Sequence, residues 1–128
     1  MPTKSPDVDS QLPLTPVVFH ILLALADGEK HGYAIMQEVE RVTDGHISMG
    51  PGTLYGSIKR MLAADFIEES EERPDQALND QRRRYYRLTD FGRRVLSAEA
   101  ARLAQVVRLA ADKHVLGEMM SGSLEVVR

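Results

Sequence analysis

Thr53, Ser57, Lys59 and Arg60 all fall in the stretch "GPGTLYGSIKR", and each is a hydrogen-bond donor with no activating base beside it. A second set of donors, Arg82, Arg83, Arg84 and Arg87, follows in "RRRYYRLT". Six arginines against one aspartate between Arg82 and Arg94 give that stretch about five positive charges. Between Asp44 and Asp65 there is no acidic residue, although the sequence outside that window is rich in Glu and Asp. Donors of this kind suit surfaces rich in acceptors, above all phosphate oxygens and the base edges of nucleic acid.

The same residues fit no catalytic pattern. His20, His31, His46 and His114 lack close metal-ligand spacing, Cys is absent, and no Walker-type phosphate loop occurs. His20 sits in an apolar stretch and reads as a satisfied core residue. Glu68 and Glu69 are adjacent in a strand pattern and point to opposite faces, so they form no carboxylate dyad. The sequence therefore implies no enzyme, no cofactor and no metal site. Tyr33, Tyr55, Tyr85 and Tyr86 do not make a set for stacking on single strands. Tyr86 reads as core, whereas Tyr55 lies at a stripe's margin, where its ring packs and its hydroxyl reaches a phosphate.

The chain of 128 residues fits one domain that buries roughly two-thirds of its unfolded surface. No apolar run approaches the ~18 residues of a membrane span, and no signal sequence opens the chain, so a soluble cytoplasmic protein with no membrane partner is expected. A net charge of −3 argues against indiscriminate coating of nucleic acid, which rests on a positive excess.

Residues 1–11 are polar, hold two prolines and read as a flexible arm. Thr15 is placed to cap a first helix with Pro16 at its first position and Leu14 stapled on Phe19; Gly28 ends it. A second helix follows His31-Gly32, with Ile35, Val39 and Val42 on one stripe and Gly45 at its C-terminal cap. In the third, Pro51 occupies the first turn, and Leu54, Ile58, Met61 and Leu62 face inward. Gly52, Thr53, Gly56 and Arg60 face outward with Lys59 beside them. "FIEESEERP" and "RRRYYRLT" are two strands joined by "DQALNDQ", forming a hairpin. Beyond a cap at Thr89 or Asp90, a helix reaching about Val115 would be roughly 39 Å long. Its Leu96, Ala100, Leu103, Val107 and Ala110 alternate four and three apart, as in a coiled-coil seam. A helix that long exceeds what a small core needs, so its distal half is expected to pack on another chain.

The order is mainly α with a small β-hairpin: a winged helix-turn-helix over residues 12–89, a C-terminal dimerisation helix over 90–116 and a weakly ordered tail over 117–128. The third helix would enter the DNA major groove, with Gly52 and Gly56 removing bulk and Thr53, Ser57, Lys59 and Arg60 donating. Two plainer readings compete. Glycine and proline before a helix are ordinary turn chemistry, and Arg82, Arg83, Arg84 and Arg87 could simply pair across the hairpin with Glu68, Glu69, Glu71 and Glu72. The same helix and hairpin could also serve as a protein-interaction module.

Taken together, "HGYAI", "GTLYGSIKRMLAADFIEE" and "RRRYYRLTDFGRRVL" resemble the PadR family of bacterial transcriptional regulators over about residues 13–115. The resemblance implies a homodimeric winged-helix protein, usually a repressor, bound to double-stranded promoter DNA. It places Tyr33, Thr53, Tyr55, Lys59 and Arg60 in the DNA-facing region and Arg82, Arg83 and Arg84 in the wing. It further implies a shorter-tailed member whose single long C-terminal helix makes the dimer. A small apolar effector, if the protein responds to one, would sit between the winged domain and the dimer helices. The wing turn "ALNDQRRRYY" lacks the glycine often found before the family's arginines, and the absence of Trp means an effector pocket would not rely on indole stacking.

Overall fold

The computed structural model describes residues 7–70 and 84–117. Within them, a 3-10 turn (Asp9–Gln11) leads to α1 (Pro16–Ala24), β1 (Lys30–His31), α2 (Gly32–Val42), α3 (Pro51–Ala63), β2 (Ile67–Glu69), β3 (Tyr85–Leu88) and α4 (Asp90–Asp112). Residues 71–83, which hold Glu71, Glu72, Arg82, Arg83 and the expected hairpin turn, lie outside the described residues, as do residues 1–6 and 118–128.

α1 and α4 begin where their capping threonines predict. Thr15 Oγ1 accepts from Val18 N at 3.2 Å, and Thr89 Oγ1 accepts from Gly92 N at 2.9 Å, so one orphan amide of each first turn is satisfied. His31 Nδ1 accepts from Ala34 N at 3.1 Å and caps α2. Asp44 and Gly45 take positive φ (51° and 78°) in the turn that separates α2 from α3. Gly45 suits that geometry because it lacks a Cβ.

The sheet has three strands in the order β1-β3-β2, one more than the expected hairpin. β1 pairs antiparallel with β3 through Lys30↔Tyr86 and His31↔Tyr85. β2 pairs with β3 through Ile67↔Leu88, Glu68↔Arg87 and Glu69↔Tyr86. Two residues carry no legible alternation, so β1 leaves no sequence signal of its own. Around this sheet Ile21, Leu22, Leu25, Ile35, Val39, Leu54, Ile58, Met61, Ile67 and Val95 form the buried core.

Four expectations about the frame need correction. Val42 is not on the buried stripe but exposed, because α2 ends there. The arm does not run free to residue 11: Val8 packs against the core, and the turn at Asp9–Gln11 rests on α4. Leu96 belongs to the core of its own protomer, and the helix ends at Asp112, short of Val115. Beyond Glu99, Leu103, Val107 and Ala110 of the expected stripe are half-buried and Ala100 is exposed, while Val106 (51%) and Leu109 (54%) are the large apolar side chains that this part of the helix exposes.

Candidate nucleic-acid interface

Two glycines set the position of α3 and α4. Gly32 opens α2, and a Cβ built there would lie 2.5 Å from Tyr55 Oη, too close for any real contact. The missing methyl therefore lets the phenol of α3 seat on the first turn of α2. "HGYAI" and "GTLYG" are thus two halves of one joint. Tyr55 is half-buried in it. A Cβ at Gly92 would strike the Phe66 backbone carbonyl, so the first turn of α4 passes directly over the start of β2. Thr89 secures the same crossing. Its hydroxyl donates toward Asp65 O at 2.6 Å, and its N–H donates to Phe66 O at 3.0 Å.

On α3, Leu54, Ile58 and Met61 are buried, and Thr53, Lys59 and Arg60 are exposed on the opposite side. The N-terminus of α3 has Gly50 as N-cap and Pro51 at the first position, with no side chain capping it. Among the described residues, no atom beyond the local chain lies within 4 Å of a Cβ at Gly50 or Gly52. The entry to the helix is therefore open, with amides directed outward. Tyr33, at the start of α2, adds a phenol that is 52% exposed.

Ser57 corrects the outward row. It is 1% exposed and lies on the inward stripe, three residues after Leu54 and four before Met61. Its Oγ accepts from Arg60 Nη2 at 3.3 Å, so it steadies Arg60 instead of reaching a base. Gly56 is half-buried, and a Cβ there would meet Arg60 Nη1 at an ordinary 3.8 Å.

An open cleft of about 510 Å³ separates α3 from the sheet, lined by Tyr55, Ile58, Lys59, Leu62, Glu69, Arg84 and Tyr86. Burial first, then the nearby charge of Glu69, pushes the Tyr86 hydroxyl above the usual phenol range, so it stays protonated and able to donate. The cross-strand pairing weighed as the plainer reading is realised at two positions. Arg84 Nη1 meets both oxygens of Glu69 at 3.0 and 3.1 Å, and Arg87 Nε meets Glu68 at 2.8 Å.

Sequence reasoning missed Glu99. It is 1% exposed, and its carboxylate accepts from Leu14 N at 2.9 Å and from Arg102 Nε at 2.6 Å and Nη2 at 3.0 Å. The Arg102 guanidinium holds the carboxyl below the usual range despite burial, with the Leu14 amide adding to the effect. A signal was present: Glu99 follows Val95 by four and Leu96 by three, on the inward stripe. His20, expected as a satisfied core residue, is half-buried, and its Nδ1 has no hydrogen-bond partner among the described residues. Among those residues no group of His, Cys, Asp or Glu is placed to hold a metal ion, and no helix is long and apolar enough to cross a membrane.

A family model described as the transcriptional regulator PadR-like family matches residues 21–98. A transcriptional regulator of Mycobacterium tuberculosis is 37% identical over 103 residues, which cover 79% of this chain and 90% of the relative. An uncharacterized transposon protein of Streptomyces fradiae is 41% identical over 86 residues, 67% of this chain. This chain spans only 22% of that protein's length. In fold, the chain is similar to Bacillus subtilis PadR in complex with operator DNA, with a TM-score of 0.57 and 24% identity over 67% of this chain and 47% of that one. The fold is that of the winged helix-turn-helix.

Proposed function

Because the chain belongs to the PadR-like family of transcriptional regulators, we propose that it represses transcription as a homodimer bound to a roughly palindromic duplex operator. The observation that carries this reading is the two-sidedness of α3. One face is sealed into the core, and the other presents Thr53, Lys59 and Arg60 beside an uncapped, unobstructed N-terminus. In a major groove Arg60 and Thr53 would meet base edges, while Lys59, Tyr33, Tyr55 and the wing arginines Arg82, Arg83 and Arg84 would meet phosphates and fix register. Bound in this way, the protein would block polymerase in the cytoplasm without further chemistry.

The homodimer is supported by the distal part of α4. Val106 and Leu109 are more than half exposed, with Leu103 and Ala110 flanking them. A second copy of the same helix would cover this stripe and set two α3 helices about 34 Å apart, one helical turn of DNA. A small apolar effector would act from between the winged domain and the paired α4 helices, where its binding changes that spacing.

The test is a salt titration of the purified protein against duplex fragments from upstream of its own gene. Binding should fall steeply with salt, and Arg60→Ala combined with Arg83→Ala should weaken it. Absence of binding to every such fragment at low salt defeats the repressor reading and favours a protein-interaction module. Sedimentation should show a dimer, and truncation before Leu103 should leave a monomer.

A further inference from the structure

The register of β2 against β3 sorts four charged side chains onto two faces of the sheet. Ile67↔Leu88 and Glu69↔Tyr86 are directly opposite pairs two residues apart, so they share a face, and Arg84 joins them by alternation along β3. This is the face toward α3, since Glu69, Arg84 and Tyr86 line the cleft whose far wall carries Lys59. Glu68 and Arg87 form a pair on the other face. The two ion pairs are alike in chemistry and exposure: Arg84 and Glu69 are 51% and 41% exposed, Arg87 and Glu68 52% and 49%. They differ in what they look at.

If α3 reads the groove, the strand of phosphates nearest it runs along the cleft between Lys59 and Arg84. Among the described residues Glu69 is the only carboxylate lining that cleft, and it accepts both bonds from a single Arg84 nitrogen. We propose that Glu69 is a brake on phosphate binding: it occupies the Arg84 guanidinium and places a negative charge in the path of the DNA backbone. The inference rests on the DNA-reading function argued above. It makes duplex affinity conditional, because Arg84 reaches a phosphate only when that contact displaces a carboxylate already in place. Contacts made elsewhere, by Thr53 and Arg60, must then hold the complex long enough for the exchange. A chain of net charge −3 with an arginine-rich wing is thereby kept from binding any duplex indiscriminately.

Salt titrations of duplex binding by the full-length protein and its Glu69→Gln, Glu68→Gln and Glu69→Gln/Arg84→Ala variants provide the test. Glu69→Gln should bind severalfold more tightly and release one more counterion. Its log-log slope should steepen by about 0.9, equivalent to losing about threefold more affinity than the wild type between about 50 and about 200 mM salt. Glu68→Gln removes the same charge from the opposite face and should leave the slope unchanged. Adding Arg84→Ala should return the slope to the wild-type value and leave only the smaller gain that comes from deleting the Glu69 charge. A Glu69→Gln protein that binds no better than wild type overturns the brake, as does an equal gain from Glu68→Gln, while wild-type binding keeps the DNA reading intact. If neither the wild type nor Glu69→Gln binds any duplex, both readings fall.

Discussion

The helices α3 and α4 carry similar apolar spacing but use it differently. In α3 every inward position from Leu54 to Met61 is closed off by the protein's own core, Ser57 included, so the helix is fully supported from one side. In α4 only Phe91, Gly92, Val95, Leu96 and Glu99 are buried, and the following turns expose Val106 and Leu109. Periodicity in a sequence identifies a face, whereas its partner depends on where the rest of the chain reaches. The α3 stripe is completed by α1, α2 and the sheet. The stripe of α4 outruns them.

The largest effect that tests this contrast is on α3. Leu54→Ala should cost about 2–5 kcal/mol of folding stability by urea denaturation, since a fully buried leucine leaves a cavity. Glu99 marks the changeover within α4, and Glu99→Gln should cost about 1–3 kcal/mol, because it weakens charge-assisted bonds to Arg102 and Leu14. That difference should depend on pH. The folded-state pKa of Glu99 is depressed, so its contribution is complete above the unfolded value and disappears as pH falls through the folded one. A gap between the two proteins that persists in strong acid would show that packing, not charge, holds the N-terminal segment on α4.

On the outward side of α3, Arg60→Ala should weaken duplex binding by about 1–3 kcal/mol while leaving the urea midpoint unchanged. A shift in the midpoint would mean that the Ser57–Arg60 contact serves the fold. The smallest effect belongs to the distal stripe. Leu109→Ala should change protomer stability by less than about 0.5 kcal/mol under dilute conditions yet weaken self-association in sedimentation. A concentration-independent loss as large as that of Leu54→Ala would erase the distinction between the two helices.

Much of this contrast was legible from residue types. Thr15 and Thr89 stand at helix starts as capping residues, and Leu54, Ile58 and Met61 mark the inside of α3 by spacing alone. The paired arginines Arg84 and Arg87 were foreseen among two readings, and the cross-strand contacts belong to the plainer one. Other features depend on contacts between distant segments. Glu99 is buried because Leu14, far away in sequence, brings an amide to it. Leu96 reads as the first rung of a seam until Phe66 and Phe91, with rings 5.8 Å apart, show the start of α4 sunk into the protomer. Ser57 misled by its polarity, although its spacing was correct. β1 exists because β3 offers an edge beside His31, whose ring meets Tyr85 edge-on at 5.5 Å.

The seat of Tyr55 on Gly32 has a mechanical consequence. With no side chain at Gly32, the two helices of the helix-turn-helix meet at a separation set by backbone against phenol, and neither can slide without lifting the ring out of its seat. The pitch of α3 relative to its support is therefore built in. On the proposed two-fold reading, adjustment to operators whose half-sites are slightly farther apart would have to come from elsewhere, and α4 beyond Glu99, where no side chain is fully buried, is the place for it. On the proposed function the protein would act as a stiff gauge on a less supported stem, with a fixed reading end and tolerance for spacing in the helix behind it.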